Sequence, residues 1–225
     1  MSKLLLLRHL QSQWNLENRF AGWADNPLSE EGAAAAKGLA QKIVKEKFDV
    51  IYTSPLFRNM DTVARIFEFG NKKYPVFLRL DNGRMKRWGC FTDVSENDVP
   101  VFVTESLNER YYGKLQGRNR DVIKEKYGEK QFQLWRRSFN SRPPGGESLK
   151  DTYKRTIPFF KKYIEKDLKA GKNVLLAGSH NSLRSIAKYV EKISDDDIAK
   201  FEIPYGGIIE YELYDNLALR DKKTL

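Results

Sequence analysis

Leu4-Leu5-Leu6-Leu7-Arg8-His9 is the stretch on which the reading of this chain turns. A short apolar run bounded by charge reads as a buried strand, so Arg8 and His9 fall at that strand's carboxyl end. Open α/β sheets bind their ligands at that edge. A second run, Val174-Leu175-Leu176-Ala177-Gly178-Ser179, leads directly into His180, the only other histidine among 225 residues. Two strand-end histidines, each with an arginine nearby in sequence, point to a site that handles a phosphoryl group.

Working outward, apolar runs alternate with helix-like stretches. A polar, aromatic loop at 10–28 separates the first strand from an alanine-rich helix expected from Ser29 to about Lys47, with Glu30 and Glu31 in its first turn. Residues 48–52 read as a strand, and Ser54-Pro55 as the start of a helix reaching about Phe69. Residues 75–78 and 101–103 are strand-like, and an inserted hairpin or flap is expected within 70–108. Helices follow at about 121–126 and 131–139. The break Pro143-Pro144-Gly145-Gly146 precedes a long helix over 148–169, expected to bend at Pro158. Asn181-Ser182 is expected to cap a helix reaching Val190, residues 208–214 form a last strand, and the tail 220–225 reads as mobile. The alternation predicts an α/β fold with a mainly parallel sheet. Nothing in the length demands a second domain.

Composition narrows the function classes. Hydrophobic content of 40% with 31% charged residues is ordinary for a soluble globular protein. No apolar run is long enough to span a bilayer, and Met1-Ser2-Lys3 plus four leucines is too short for a signal peptide. The single cysteine, Cys90, cannot form an internal disulfide, which favours the cytoplasm; it reads as incidental. A net charge of +10 invites nucleic acid as a partner, but no recognition motif accompanies it. A basic cleft that steers small anionic metabolites accounts for the same excess.

Residue types then suggest chemistry. A lone histidine at a strand end is more often structural than catalytic. Arg8 beside His9 shifts that balance, because a guanidinium offers a fixed fork of donors to phosphate oxygens. Ser12 and Asn15 add short neutral donors from the same loop. A neutral imidazole so placed can attack phosphorus. Arg58 falls in the first turn of the helix opened by Pro55, where backbone N–H groups already favour anions, although alone it reads equally as a surface arginine. Asn181-Ser182-Leu183-Arg184 opens another helix beside His180, though Asn and Ser also suit a plain N-cap.

The ordered set is more specific than any piece. Leu-Arg-His-Leu-Gln-Ser-Gln-Trp-Asn (7–15), Asn-Arg-Phe-Ala-Gly-Trp (18–23), Leu-Ser-Glu-Glu-Gly (28–32) and Tyr-Thr-Ser-Pro-Leu-Phe-Arg (52–58) come first. Leu-Asn-Glu-Arg-Tyr-Tyr-Gly-Lys-Leu-Gln-Gly (107–117), Trp-Arg-Arg (135–137), Pro-Pro-Gly-Gly-Glu-Ser-Leu (143–149), His-Asn-Ser-Leu-Arg (180–184) and Ile-Pro-Tyr-Gly (203–206) follow. Together they resemble the histidine phosphatase superfamily and, more closely, its 2,3-bisphosphoglycerate-dependent phosphoglycerate mutases. The resemblance implies a three-layer α/β/α fold, phosphoglycerate mutase-like, and interconversion of 3-phosphoglycerate and 2-phosphoglycerate through phosphohistidine. It implies 2,3-bisphosphoglycerate as primer, no metal, and small phosphorylated three-carbon acids as partners, in a monomer or homodimer with neither nucleic acid nor membrane involved. His9 is then the phosphorylated residue and Glu109 the acid/base that moves a proton to and from the substrate hydroxyl. Arg8, Arg58 and His180 hold the transferring group. Asn15, Gly22, Arg110, Tyr112, Arg120, Arg136, Arg137 and Asn181 grip the carboxylate and resting phosphate. On the plainer reading Arg136-Arg137 is a solvated helix face.

Three positions depart from the family pattern. Leu10 stands where glycine usually follows the nucleophilic histidine and is expected to crowd the phosphate or shift the loop. Ala21 replaces the usual Ser or Thr, removing a hydroxyl donor. Aligned without a gap on Asn-Ser-Leu-Arg, the family's second histidine falls on Ser179 and His180 falls on its glycine. Either His180 still reaches the phosphate or that role is lost, and the reading adopted is His180. A phosphatase of the same superfamily and a catalytically impaired phosphometabolite-binding homologue are the alternatives.

Overall fold

The computed structural model describes residues 1–70, 73–83 and 95–225. The leucine run forms β1 (Ser2–Arg8), whose four leucines are completely buried. Successive side chains of a strand point to opposite faces, and both faces of β1 are covered. Leu4 and Leu6 pack with Ile157, Phe160, Leu183 and Ile186, whereas Leu5 and Leu7 pack with Leu39, Ile43, Val63 and Ile66. A strand buried this way must read as an unbroken apolar run.

The other strands are β2 (Val50–Thr53), β3 (Tyr74–Arg79), β4 (Asp98–Val103), β5 (Val174–Gly178), β6 (Ile208–Leu213) and β7 (Leu219–Thr224). Their order in one sheet is β3-β4-β2-β5-β1-β6-β7. Pairings from β3 through β1 are parallel, and β6 and β7 are antiparallel to their neighbours. The helices are α1 (Gln13–Leu16), α2 (Glu30–Ala34), α3 (Ala36–Ile43), α4 (Phe57–Gly70), α5 (Arg120–Tyr127), α6 (Glu129–Arg137), α7 (Leu149–Phe159), α8 (Glu165–Lys169) and α9 (His180–Glu191), counted among the described residues. Helices α3 and α4 cover one face of β1, and α7 and α9 the other, giving the three layers expected. The pairing Arg8↔Gly178 aligns the carboxyl ends of β1 and β5, so His9 and Ser179 follow them out of the same edge.

Several boundaries differ from the sequence reading, each for a physical reason. The helix expected over 29–47 is two, α2 and α3, joined at Ala35, and it stops at Ile43, its last buried residue, before the polar run 45–47. Helix α4 begins at Phe57 rather than Pro55, because its first N–H donates to Asp25 Oδ1 (2.8 Å) from a distant loop. Ser179, not Asn181-Ser182, is the N-cap of α9. The long helix after Ser148 does not merely bend at Pro158: a π-helical turn at Phe160–Ile164 intervenes before α8. The tail is not free. It forms β7 on the β6 edge, with Leu225 N–H donating to the Ile208 carbonyl (3.0 Å), although every residue of β7 is exposed and carries no apolar alternation. Strands β3 and β4 run parallel; the hairpin or flap expected between them falls largely on 84–94, outside the described residues, as does Cys90. No helix among the described residues is long and apolar enough to cross a membrane.

Candidate active site

His9 is fixed by main-chain bonds before its side chain does anything. Its N–H donates to the Gly178 carbonyl (3.0 Å), Arg8 N–H to the Gly207 carbonyl (3.0 Å), and Gly206 N–H back to Arg8 (3.1 Å). The ring's Nδ1 lies 2.6 Å from the Leu10 carbonyl oxygen. A carbonyl only accepts, so Nδ1 carries the hydrogen and Nε2 keeps its lone pair. The ring is buried, and burial, then the charges of Arg58 and Arg8, holds its pKa well below the ordinary imidazole value. A neutral imidazole with a defined tautomer is a nucleophile in waiting.

The ring opens on a cavity of about 180 Å³ between the carboxyl ends of β1 and β5 and the loops around them. Arg58, 1% exposed near the start of α4, donates Nη1 to the Ala24 carbonyl (3.1 Å) and Nη2 to the Gly22 carbonyl (2.8 Å). This grip presents Ala21 and Gly22 to the cavity. Gly22 has φ +54°, a left-handed backbone that favours glycine, and an added Cβ would also displace the Gln116 side chain. Arg8 lies 3.8 Å over the Tyr205 ring and donates Nη1 to the Ile203 carbonyl (2.6 Å). The Nε atoms of Arg8, Arg58 and Arg120 are buried without a partner, as are Nε and Nη1 of Arg110 and Nε of Arg184 outside the cavity lining; those of the three cavity residues are donors open to an anion.

Glu109 stands in the same cavity, 7% exposed. Its Oε1 accepts from Asn181 Nδ2 (2.5 Å) and Arg110 N–H (2.7 Å), and its Oε2 from Asn181 N–H (3.3 Å). Asn181 is itself held by Arg184 Nη1 (2.9 Å). A carboxylate oriented by three donors has one position to act from. Burial works against ionisation of Tyr112, but Arg110 and Arg120 outweigh it and set the phenol below its usual value. Arg120 from α5 and Arg136 and Arg137 from α6 close the basic wall. Burial, then Arg136, lowers the Arg137 pKa to about 10, which leaves it charged at neutral pH.

The structure gathers most of the expected set around one cavity: Arg8, His9, Asn15, Ala21, Gly22, Arg58, Glu109, Tyr112, Arg120, Arg136, Arg137, His180 and Asn181. Ser12 does not line it. Completely buried, Ser12 donates Oγ to Asn15 Oδ1 (2.9 Å) and so aims Asn15 instead. Arg110 also lies behind the wall, with Nη2 donating to Tyr112 Oη (3.0 Å) and the Arg136 carbonyl (2.8 Å). Leu10 does not crowd the cavity: its side chain packs in the core beside Gly206. Ser179 is turned away and pairs with Asn59 Nδ2 (3.1 Å), while His180 lines the cavity. Burial and the charges of Arg8, Arg184, Arg137 and Arg110 hold His180 well below its ordinary pKa.

Two cavity residues escaped the sequence reading. Tyr205 stacks on Arg8 with its ring centroid 5.9 Å from that of His9, and Glu202 pairs with Arg137 and brings its other oxygen within 2.9 Å of the neutral His180, whose Nε2 makes no hydrogen bond. The quoted Ile-Pro-Tyr-Gly contained Tyr205, but only the loop's return between β5 and β6 reveals that it faces His9.

Comparison with known proteins follows the geometry. The sequence pattern of the histidine phosphatase superfamily (branch 1) matches residues 4–88 and 91–219. A 2,3-bisphosphoglycerate-dependent phosphoglycerate mutase from Methanococcus vannielii is 45% identical over 215 residues, covering 95% of this chain and 91% of its own. The protein of the same name from Protochlamydia amoebophila is 39% identical, covering 99% and 100%. Among solved structures, a mycobacterial glucosyl-3-phosphoglycerate phosphatase complexed with VO3 aligns with TM-score 0.76 at 22% identity, covering 98% of this chain and 96% of that one. Bacillus stearothermophilus YhfR aligns with TM-score 0.74 at 21% identity, covering 98% and 95%.

Proposed function

The chain belongs to the histidine phosphatase superfamily, and from that premise we propose that it is a 2,3-bisphosphoglycerate-dependent phosphoglycerate mutase that interconverts 3-phosphoglycerate and 2-phosphoglycerate. The relatives of that name span almost their whole length on this chain. The observation that carries the residue assignment is His9: neutral, tautomerically fixed, and in one cavity with Arg8, Arg58 and Glu109.

In this reading His9 Nε2 attacks phosphorus while the ester P–O bond breaks, and the departing oxygen takes a proton from Glu109. In the return step the hydroxyl oxygen of a monophosphoglycerate attacks the phosphorus, Glu109 receives the hydroxyl proton and the N–P bond breaks. Arg8, Arg58 and His180 stabilise the charge that builds on the equatorial oxygens. Throughout, the Leu10 carbonyl keeps Nδ1–H in place, so that a phosphorylated ring retains an acceptor for its remaining proton. Asn15, Gly22, Tyr112, Arg120, Arg136, Arg137 and Asn181 orient the carboxylate and resting phosphate, with Ser12 and Arg110 supporting them from behind. The unpartnered Nε donors fit a polyanion, and 2,3-bisphosphoglycerate supplies the phosphoryl group that first charges His9. The substrates are small phosphorylated three-carbon acids, and the basic surplus steers them rather than nucleic acid. A cytoplasmic location and a monomer or homodimer complete the reading.

Ala21 favours a second reading, hydrolysis, since the cavity lacks a hydroxyl at that position. Acid-labile ³²P transfer from bisphosphoglycerate to the protein, lost in His9→Ala, tests the phosphoenzyme. Absence of label in the unaltered protein overturns it in favour of a binding homologue. The ratio of mutase to phosphatase turnover, with primer present, then decides between the two activities.

A further inference from the structure

Glu202 places a carboxylate inside an anion site. One oxygen contacts Arg137 Nη1, and the other lies 2.9 Å from His180 Nε2. The next residue, Ile203, is anchored by Arg8, yet the Glu202 side chain is 47% exposed and has water to move into. Arg137 belongs to the group assigned above to the substrate's carboxylate and resting phosphate, so Glu202 sits on a residue that the substrate's non-reacting anion needs.

We propose that Glu202 is a specificity-determining residue that occupies the resting-anion seat and competes with the second anionic group of the substrate for Arg137. The inference rests on the phosphoglycerate reading and adds a residue to it. A ligand with one anionic group binds at the His9 end and leaves Glu202 in place. A ligand with two must expel it, exchanging one ion pair for another rather than gaining a new one. The result is a site that holds the far end of its substrate loosely. As that end leaves, Glu202 recaptures Arg137, so its half-buried guanidinium is not left without a counter-charge.

The test compares 3-phosphoglycerate with glycerol 3-phosphate, which keeps the phosphate ester and lacks the carboxylate. Titration calorimetry is run on the unaltered protein, Glu202→Gln and Glu202→Asp at one pH and ionic strength. Glu202→Gln tightens 3-phosphoglycerate about tenfold, roughly 1.4 kcal/mol, while glycerol 3-phosphate changes less than about twofold; Glu202→Asp keeps the original ratio. Mutase turnover of Glu202→Gln shows KM and kcat falling together, as expected when a bound state is stabilised. Equal tightening of both ligands, or no change for 3-phosphoglycerate, overturns the proposal. Absence of mutase turnover in the unaltered protein, with the ligand ratio still responding, overturns the mutase reading alone. Failure of the unaltered protein to bind either ligand overturns both.

Discussion

Acid should weaken this fold before any carboxylate is protonated. The chain has two histidines, both face the cavity, and both are held well below the ordinary imidazole pKa, His9 by burial, Arg58 and Arg8, His180 by burial and four arginines. A depressed imidazole pKa means the unfolded chain binds protons that the folded chain refuses. Stability is therefore unaffected above about pH 6.5, the unfolded value, and declines as pH falls through it. Between pH 7.5 and 5.5 each histidine costs at most about 1.4 kcal/mol, so the pair removes at most about 2.7 kcal/mol. Asp151, whose pKa Arg142 holds far below the carboxylate range, adds its own loss only at lower pH. Urea unfolding at intervals across that window, in a buffer free of phosphate, reads the slope, and His9→Gln should halve it. A flat profile, or imidazole NMR resonances that titrate near pH 6.5 in the folded protein, refutes the neutral-histidine argument.

Other substitutions follow the contacts. Glu109→Gln replaces an acceptor of three N–H groups and should lower mutase turnover by at least about 100-fold while the calorimetric affinity for 3-phosphoglycerate changes only a few-fold. Gly113 has φ +55° and an added Cβ would lie 2.3 Å from the Pro144 carbonyl, so Gly113→Ala should cost more than about 1 kcal/mol in a denaturant melt. Asp151 closes a capping box with Ser148 and accepts from Arg142 Nε and Nη2; Asp151→Asn should cost about 1 kcal/mol at neutral pH and little at pH 3. Ser179→His forces a ring into space shared with the fully buried Asn59, and adding Asn59→Ala should recover at least about 1 kcal/mol in a double-mutant cycle.

What sequence reasoning recovered, and what it lost, divides by the range of the interaction. β1 and β5 are buried on both faces, so an unbroken apolar run names them without tertiary knowledge. His9 and His180 then follow from chain continuity alone. Helix α4 starts late because Asp25, far away in sequence, caps it, and β7 is held by main-chain pairing with β6, which leaves no apolar pattern to read. At the site the same rule separates outcomes. Ser12 and Arg110 carry the right groups, but Ser12 spends its hydroxyl on Asn15 and Arg110 turns Nη2 to Tyr112 and the Arg136 carbonyl, outside the cavity lining. Glu202 was invisible because an acidic residue beside a turn reads as surface until Arg137 and His180 are placed against it.

The sheet order has a consequence for how the chain is made. The strand that carries the nucleophile is synthesised first, yet both of its neighbours come late: Leu4 pairs with Val174 on one side and with Tyr211 on the other. At about 5–20 residues per second, a ribosome takes roughly 10–35 s to deliver the first partner. Throughout that interval a greasy tetraleucine segment trails outside the exit tunnel with both hydrogen-bonding edges open, a ready template for sticking to other nascent chains. A holding chaperone, or translation fast enough to outrun such encounters, thus becomes part of what this architecture requires of its cell.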